Sequence, residues 1–230
     1  MALKAEVVIG VLLTVRHRTV RLAGFLAGAL LLLGSFAESA VSRGLELVLV
    51  ISGTVAAVAA SRLLAPGEAL AAARRAGADW WVSATGRLAG VWLLILPAAW
   101  VAALILAEGM NEAIRVAWVA AVYGGAVGAV TLALTPFMGA TGAAALGLLG
   151  VWLGGLPPSG IYQILSGWEY VRRPAVWLWN VLPLDWRALR WGRVGGLEDP
   201  MVMAAWIVVG VMMASWAISR AESGTASPGE

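Results

Sequence analysis

The charged side chains with the clearest pattern lie in one short segment, residues 62–87, between two long apolar runs. Glu68 opens an alanine-rich stretch and Arg74 and Arg75 close it, a placement that suits the dipole of a helix. Charges on such a helix can pair with a protein partner, so the segment predicts a docking helix; its other interpretation is a solvated connector. The predicted docking residues are Glu68, Arg74, Arg75, Asp79 and Arg87.

A second group of side chains, aromatic and basic, lies in the polar stretch 157–199, which holds five of the 13 tryptophans. Tryptophan favours the lipid headgroup layer because its ring is apolar while its N–H needs a partner. The stretch is interpreted either as an interfacial belt that sets the depth of the protein or as a lid or lateral gate over a pathway. Its named members are Trp168, Trp177, Trp179, Trp186, Arg187 and Trp191.

Residues that catalysis often uses are scarce. The chain has no cysteine, and His17 and Lys4 are its only histidine and lysine. This composition excludes, within one chain, disulfides, thiolate metal sites, haem held by two histidines and the P-loop, which ends in Lys-Ser or Lys-Thr. We therefore predict a non-catalytic chain. A membrane enzyme acting on lipids would have to use Glu169 or Asp185 as its acid or base.

The composition is that of a membrane protein: 61% of the 230 residues are hydrophobic and 13% are charged, against about 25% charged in soluble domains. The centres of its apolar runs hold no Asp, Glu, Lys or Arg, whereas ion-coupled carriers usually keep an ionisable group there. Energy for any transport would then come from another subunit. Six runs have the length of a spanning helix: residues 20–37, 45–64, 88–107, 114–134, 139–156 and 201–219.

Shorter segments flank and connect these runs. Residues 1–19 predict a helix on the membrane surface, because their apolar part is too short to span and basic residues follow it. An uncharged break is predicted at 135–137. Ile161–Tyr170 and Val176–Arg190 predict interfacial or re-entrant helices. Breaks are expected at Pro174 and Pro183.

The sequence thus predicts an all-α polytopic membrane protein of six transmembrane helices. Arginines before the first run and in residues 62–87 favour an orientation with both termini cytoplasmic. The expected location is the bacterial inner membrane. The predicted parts are one transmembrane domain at 1–220, containing a surface helix at 1–19, a cytoplasmic segment at 62–87 and an outer loop at 157–199, followed by a disordered tail at 221–230.

In this arrangement the chain resembles the ABC-2 type transporter permeases, and the small haem-exporter permeases are similar in size and layout. The resemblance implies an N-terminal elbow helix, a coupling helix between spans two and three, and short re-entrant helices between spans five and six. The family's coupling loop runs as Gly-Thr, an apolar helix, a small-residue turn and Gly-Lys. Similar places are taken here by Gly67-Glu68, Ala69–Arg75, Ala76-Gly77 and Gly86-Arg87.

The resemblance also implies a function. The chain would be the transmembrane subunit of an ATP-driven exporter, docked through its coupling segment on a separate ATP-binding subunit and paired with a second permease subunit. ATP and Mg²⁺ would bind to the partner, and this chain would hold no cofactor. The lipid bilayer is expected around it, and nucleic acid is not an expected partner. The alternative is a structural or assembly subunit of a larger membrane complex.

Overall fold

The computed structural model describes residues 2–16, 18, 20–21, 24–25, 28, 40–63, 79–107 and 109–223. Over these residues the chain is helical and contains no strand. The helices are α1 (Ala2–Arg16), α2 (Ala40–Ala60), α3 (Trp80–Leu106), α4 (Met110–Leu153), α5 (Pro158–Ile164), α6 (Glu169–Val181), α7 (Asp185–Val194) and α8 (Glu198–Ser223). Most of the predicted first span lies outside the described residues.

Within the described part of the chain, three helices are long and apolar enough to cross a membrane: α3, α4, and α8 over Glu198–Ala217. A shorter apolar helix, Gly44–Ala60, lies within α2. The prediction of an all-α protein with helices of membrane-spanning length is confirmed, and the count of six spans stays a prediction. Residues 80–87, assigned from sequence to the cytoplasmic segment, belong to α3, because they pack against α1.

The longest helix, α4, is two helices joined at a sharp turn. Its 44 residues would extend roughly 66 Å, about twice the thickness of a bilayer core. Gly139, three residues after Pro136, interrupts it with φ 71°, a conformation that glycine adopts without steric cost. The chain folds back there, because Gly147 after the turn packs against Thr131 before it. A Cβ on Gly147 would lie 2.6 Å from Thr131 Oγ1. The break predicted at 135–137 is therefore two residues from the observed turn.

The described core is built around α4, which packs against α2, α3 and α8. Small residues let these helices approach closely, as packing in lipid requires. A Cβ on Gly53 of α2 would lie 2.9 Å from the Tyr123 ring and 2.8 Å from Val151. A Cβ on Gly210 of α8 would lie 2.6 Å from the carbonyl oxygen of Ala129. Both halves of α4 therefore pack against α2, and α8 packs against the first half.

The bundle has two distinct ends. At the first, α1 packs along the start of α3, where a Cβ on Gly86 would lie 2.6 Å from the Cβ of Glu6. At the second, the start of α2 meets the end of α3, with a Cβ on Gly44 falling 3.2 Å from Leu106. Helix α7 also lies at the second end, because Gly192 packs against Leu45. We call these the α1 end and the α7 end.

Three short helices, α5 to α7, stand between α4 and α8 where the sequence predicts two. The prediction of one helix over Ile161–Tyr170 is wrong, since α5 ends at Ile164 and α6 begins at Glu169. Ser166-Gly167, two poor helix formers, accounts for this break. The break expected at Pro174 is also wrong.

Pro174 lies inside α6. Its ring removes one backbone hydrogen bond, but α6 packs against α5, with the Arg172 guanidinium 4.1 Å from the centre of the Tyr162 ring. The remaining helical bonds and this packing outweigh the loss. The break at Pro183 is confirmed, because α6 ends at Val181 and α7 begins at Asp185.

Candidate functional site

A buried ion pair fastens α1 to α3 at the α1 end. Arg87 Nε donates to Glu6 Oε2 at 3.2 Å, and Ser83 Oγ donates to Glu6 Oε1 at 3.1 Å. Arg87 Nη1 donates to the carbonyl oxygen of Leu63 at 2.5 Å. The Arg87 and Glu6 side chains are only 1% and 3% exposed. A pair buried this deeply persists because further hydrogen bonds satisfy each charge.

Local sequence explains how these groups meet. Ser83 and Arg87 are four residues apart on α3, so they share one face of the helix. Gly86 lets α1 come close to that face. Glu6 is not among the predicted site residues, and its only signal in the sequence is that it is a lone carboxylate in an apolar helix.

The predicted docking residues fall into two groups. Glu68, Arg74 and Arg75 lie outside the described residues. Asp79 is exposed and precedes α3, and its side chain makes no capping hydrogen bond. Arg87 is buried in the ion pair with Glu6, so in this conformation its described contacts hold the α1 end together. Docking of these residues on a partner stays a prediction.

Helix α7 lies at the opposite end and is bonded to α4 and α2. The backbone N–H of Trp186 donates to the carbonyl oxygen of Gly154 at 2.8 Å, just beyond the end of α4. Arg193 Nη2 donates to Glu46 Oε1 of α2 at 2.6 Å, with both side chains partly exposed. These contacts bridge helices that are far apart in sequence.

Two arginines of α7 share one carboxylate of α8. Arg187 Nη1 donates to Asp199 Oδ1 at 2.8 Å, while Arg190 donates to both oxygens, at 2.7 Å from Nε and 2.6 Å from Nη2. Arg187 also donates to the carbonyl oxygen of Asn180, which joins α6 to α7. Asp199 and Arg187 are almost fully buried. Hydrogen bonding to Asp199 raises the pKa of Arg190, so Arg190 stays charged.

The predicted tryptophans of residues 157–199 differ in burial, some lying on the surface and others against the core. Trp168 and Trp177 are 68% and 66% exposed. Trp179 is half-buried, and its Nε1 donates to the carbonyl oxygen of Leu156 at 2.8 Å. Trp191 packs against the hydrophobic core. The structure therefore brings only some of these side chains together.

Trp186 belongs to the arginine cluster of α7. The Arg187 and Arg190 guanidinium groups lie 4.9 and 5.2 Å from the centre of its ring, a cation–π arrangement. Trp186 and Arg187, two of the predicted members, are therefore in direct contact. Their contacts hold α7 in place and are compatible with either a fixed belt or a lid.

Asp185 opens α7 and is only 3% exposed. Its Oδ1 has no hydrogen-bond partner among the described residues, and neither does the hydroxyl of buried Tyr123. Burial raises the pKa of Asp185 from 3.8 to about 7, and the nearby charge of Glu46 acts in the same direction. From the sequence, Asp185 is a candidate only for the acid or base of a lipid enzyme, and its burial is not predicted.

No protein-family model, no curated protein and no solved structure matches this chain. Function must therefore be inferred from the chain's own residues. The buried ion pairs at the two ends of the bundle bond one helix to another. The α1 end holds α1, α3 and Leu63 together, and the α7 end holds α7 against its neighbours.

Proposed function

We propose that this chain is the transmembrane subunit of an ATP-driven transporter of the ABC-2 type, working as an exporter in the bacterial inner membrane. The segment between α2 and α3 would dock on a separate ATP-binding subunit that carries ATP and Mg²⁺. A second permease subunit would complete the pathway. In this orientation the α1 end faces the cytoplasm together with both termini.

The linkage around Arg87 is the observation that carries the proposal. Leu63 precedes residues 64–78, and α3 begins at Trp80, just after them. Arg87 bonds both the Leu63 carbonyl and Glu6 of α1. Because both edges of the segment are joined through one buried cluster, a partner that displaced the segment would move α1, α3 and the end of α2 together.

Such a linkage suits a transporter whose energy enters from outside the bilayer. Closure of two ATP-binding subunits is a rigid-body motion, and rigid helices tied by buried hydrogen bonds transmit a displacement without local unfolding. The apolar runs offer no ionisable group at their centres to bind a driving ion. ATP hydrolysis on a partner subunit, transmitted through the segment, is therefore better supported as the energy source than a driving ion.

The alternative function, a structural or assembly subunit of a larger membrane complex, is favoured by one surface. Tyr170 and Trp177 of α6 are 98% and 66% exposed. They lie seven residues apart and so share one face of the helix, which another protein could cover. Under this alternative residues 64–78 would be a solvated connector.

Reversal of Arg74 and Arg75 tests the proposal. The variant Arg74→Glu with Arg75→Glu should retain no more than about a tenth of the ATP-binding subunit that the unmodified tagged chain retains. The new glutamates would face the acidic groups that pair with the arginines, and like charges facing each other at an interface cost several kcal/mol. The measurement is the amount of ATP-binding subunit, and its ATP hydrolysis, recovered with the tagged protein in mild detergent.

The matched control is Arg115→Glu with Arg173→Glu, which reverses two arginines with exposed side chains outside residues 62–87. This control should retain the partner at the unmodified level. Equal retention by the Arg74 and Arg75 variant would remove the docking assignment. Equal loss in both variants would show a general effect of charge rather than docking.

A further inference from the structure

The carboxyl group of Asp185 is buried at the start of α7, beside the end of α4. A Cβ on Gly154 would lie 3.1 Å from the backbone nitrogen of Asp185, and one on Gly155 would lie 3.8 Å from its Oδ2. Tyr123 of α4 is fully buried, and its hydroxyl also has no hydrogen-bond partner among the described residues. Gly154 therefore lets the end of α4 come close to the backbone at the start of α7, and the carboxyl lies beside Gly155.

The cations around Asp185 are already bonded to other carboxylates. Arg187 and Arg190 bond Asp199, and Arg193 bonds Glu46. An ionised Asp185 would thus have no ion-pair partner among the described residues, while the nearby charge of Glu46 opposes its ionisation. The titratable and charged groups on the packed elements are Glu46 on α2, Tyr123 on α4, Arg187, Arg190 and Arg193 on α7, and Glu198 and Asp199 on α8.

We propose that Asp185 is a proton-binding site that controls the docking of α7: α7 stays docked against α2 and α4 while the buried carboxyl is neutral, and loss of the proton loosens α7. The proposal rests on the contacts of α7 alone. It holds whether the chain is a transporter subunit or a structural subunit, so its failure would leave the proposed function standing.

The direction of the pH effect follows from burial. Release of α7 returns the carboxyl to water, where the ordinary pKa is 3.8, whereas the docked pKa is about 7. The docked state therefore binds the proton more tightly. Stabilisation of docking is complete below pH 3.8 and is lost as pH rises through 7. The docking equilibrium constant should fall roughly a hundredfold between pH 5 and pH 8.

Paired spin labels measure this directly, because the chain has no cysteine of its own. The labels are placed by Val194→Cys at the end of α7 and Met110→Cys at the start of α4, both exposed positions. Electron–electron distances are recorded on the full chain in lipid nanodiscs at pH 5 and pH 8. We expect one narrow distance at pH 5 and a second, broader population at pH 8.

Substitutions at Asp185 and Glu198 test whether Asp185 is the group whose titration changes the distance. Asp185→Asn, permanently neutral, should give the narrow distance at both pH values, and Asp185→Ser provides a second neutral variant if the first misfolds. Glu198→Gln, which removes an exposed carboxylate of the same cluster, should behave like the unmodified chain. Identical distances at pH 5 and pH 8 in the unmodified chain, or a pH response that survives in the neutral variants, would overturn the proposal.

Discussion

Replacement of Arg87 by alanine should lower the free energy of unfolding by about 3–5 kcal/mol, because it leaves the Glu6 carboxylate buried without its cation. Ser83 would remain the one described donor to Glu6, and the Leu63 carbonyl would lose its bond from Arg87. Thermal unfolding of the purified protein in detergent measures the loss. The same variant should loosen α1, which can be followed by proteolysis within residues 2–16.

The matched control is Arg115→Ala on α4. Arg115 lies 4.0 Å from Glu112, and the two side chains are 55% and 42% exposed. An exposed pair contributes less than about 1 kcal/mol, so the melting temperature should hardly move. Equal destabilisation by the two variants would contradict the structural role given to the Glu6–Arg87 pair.

A double variant separates the pair from its surroundings. Glu6→Gln with Arg87→Met removes both charges, and it should cost less than Arg87→Ala because neither charge is left buried alone. A double variant as unstable as the sum of the single ones would mean that the two side chains act independently.

The second large loss is expected from Asp199→Asn at the α7 end. This change removes the carboxylate that Arg187 and Arg190 share, and the Arg187 side chain is only 7% exposed. We expect a loss of about 3 kcal/mol, at the low end for a broken buried pair, because Glu198 stays 3.2 Å from Arg190. Thermal unfolding again provides the measurement.

Glu198→Gln is the neighbouring control. The Glu198 side chain is 74% exposed, so its charge is largely screened by solvent and its removal should cost less than about 1 kcal/mol. If Glu198→Gln destabilises the protein more than Asp199→Asn does, the buried carboxylate is not the group that holds α7 to α8.

The helices of membrane-spanning length could be predicted because lipid forces each backbone polar group to bond within its own helix, which a long apolar run satisfies. Pro136 likewise marked the turn of α4 to within a few residues. The Glu6–Arg87 pair could not be predicted, because 81 residues separate its members and nothing local indicates the pairing. The break predicted at Pro174 is wrong because the packing of α6 on α5 outweighs one missing hydrogen bond.

The candidate site was predictable only in part. Tryptophan and arginine in residues 157–199 indicated a region at the membrane interface. The burial of Asp185, however, arises where α7 packs beside Gly154 and Gly155, at the end of a different helix. Burial of a charge is a property of the assembled bundle, so composition does not reveal it. The docking role of Glu68, Arg74 and Arg75 stays a prediction.

The most direct test of the transporter assignment is affinity purification of the tagged chain in mild detergent, with mass spectrometry of the proteins that accompany it. Our account predicts an ATP-binding subunit in stoichiometric amount, with ATP hydrolysis in the purified complex. Recovery of unrelated membrane subunits with no ATP-binding protein would contradict it and make the chain a structural component.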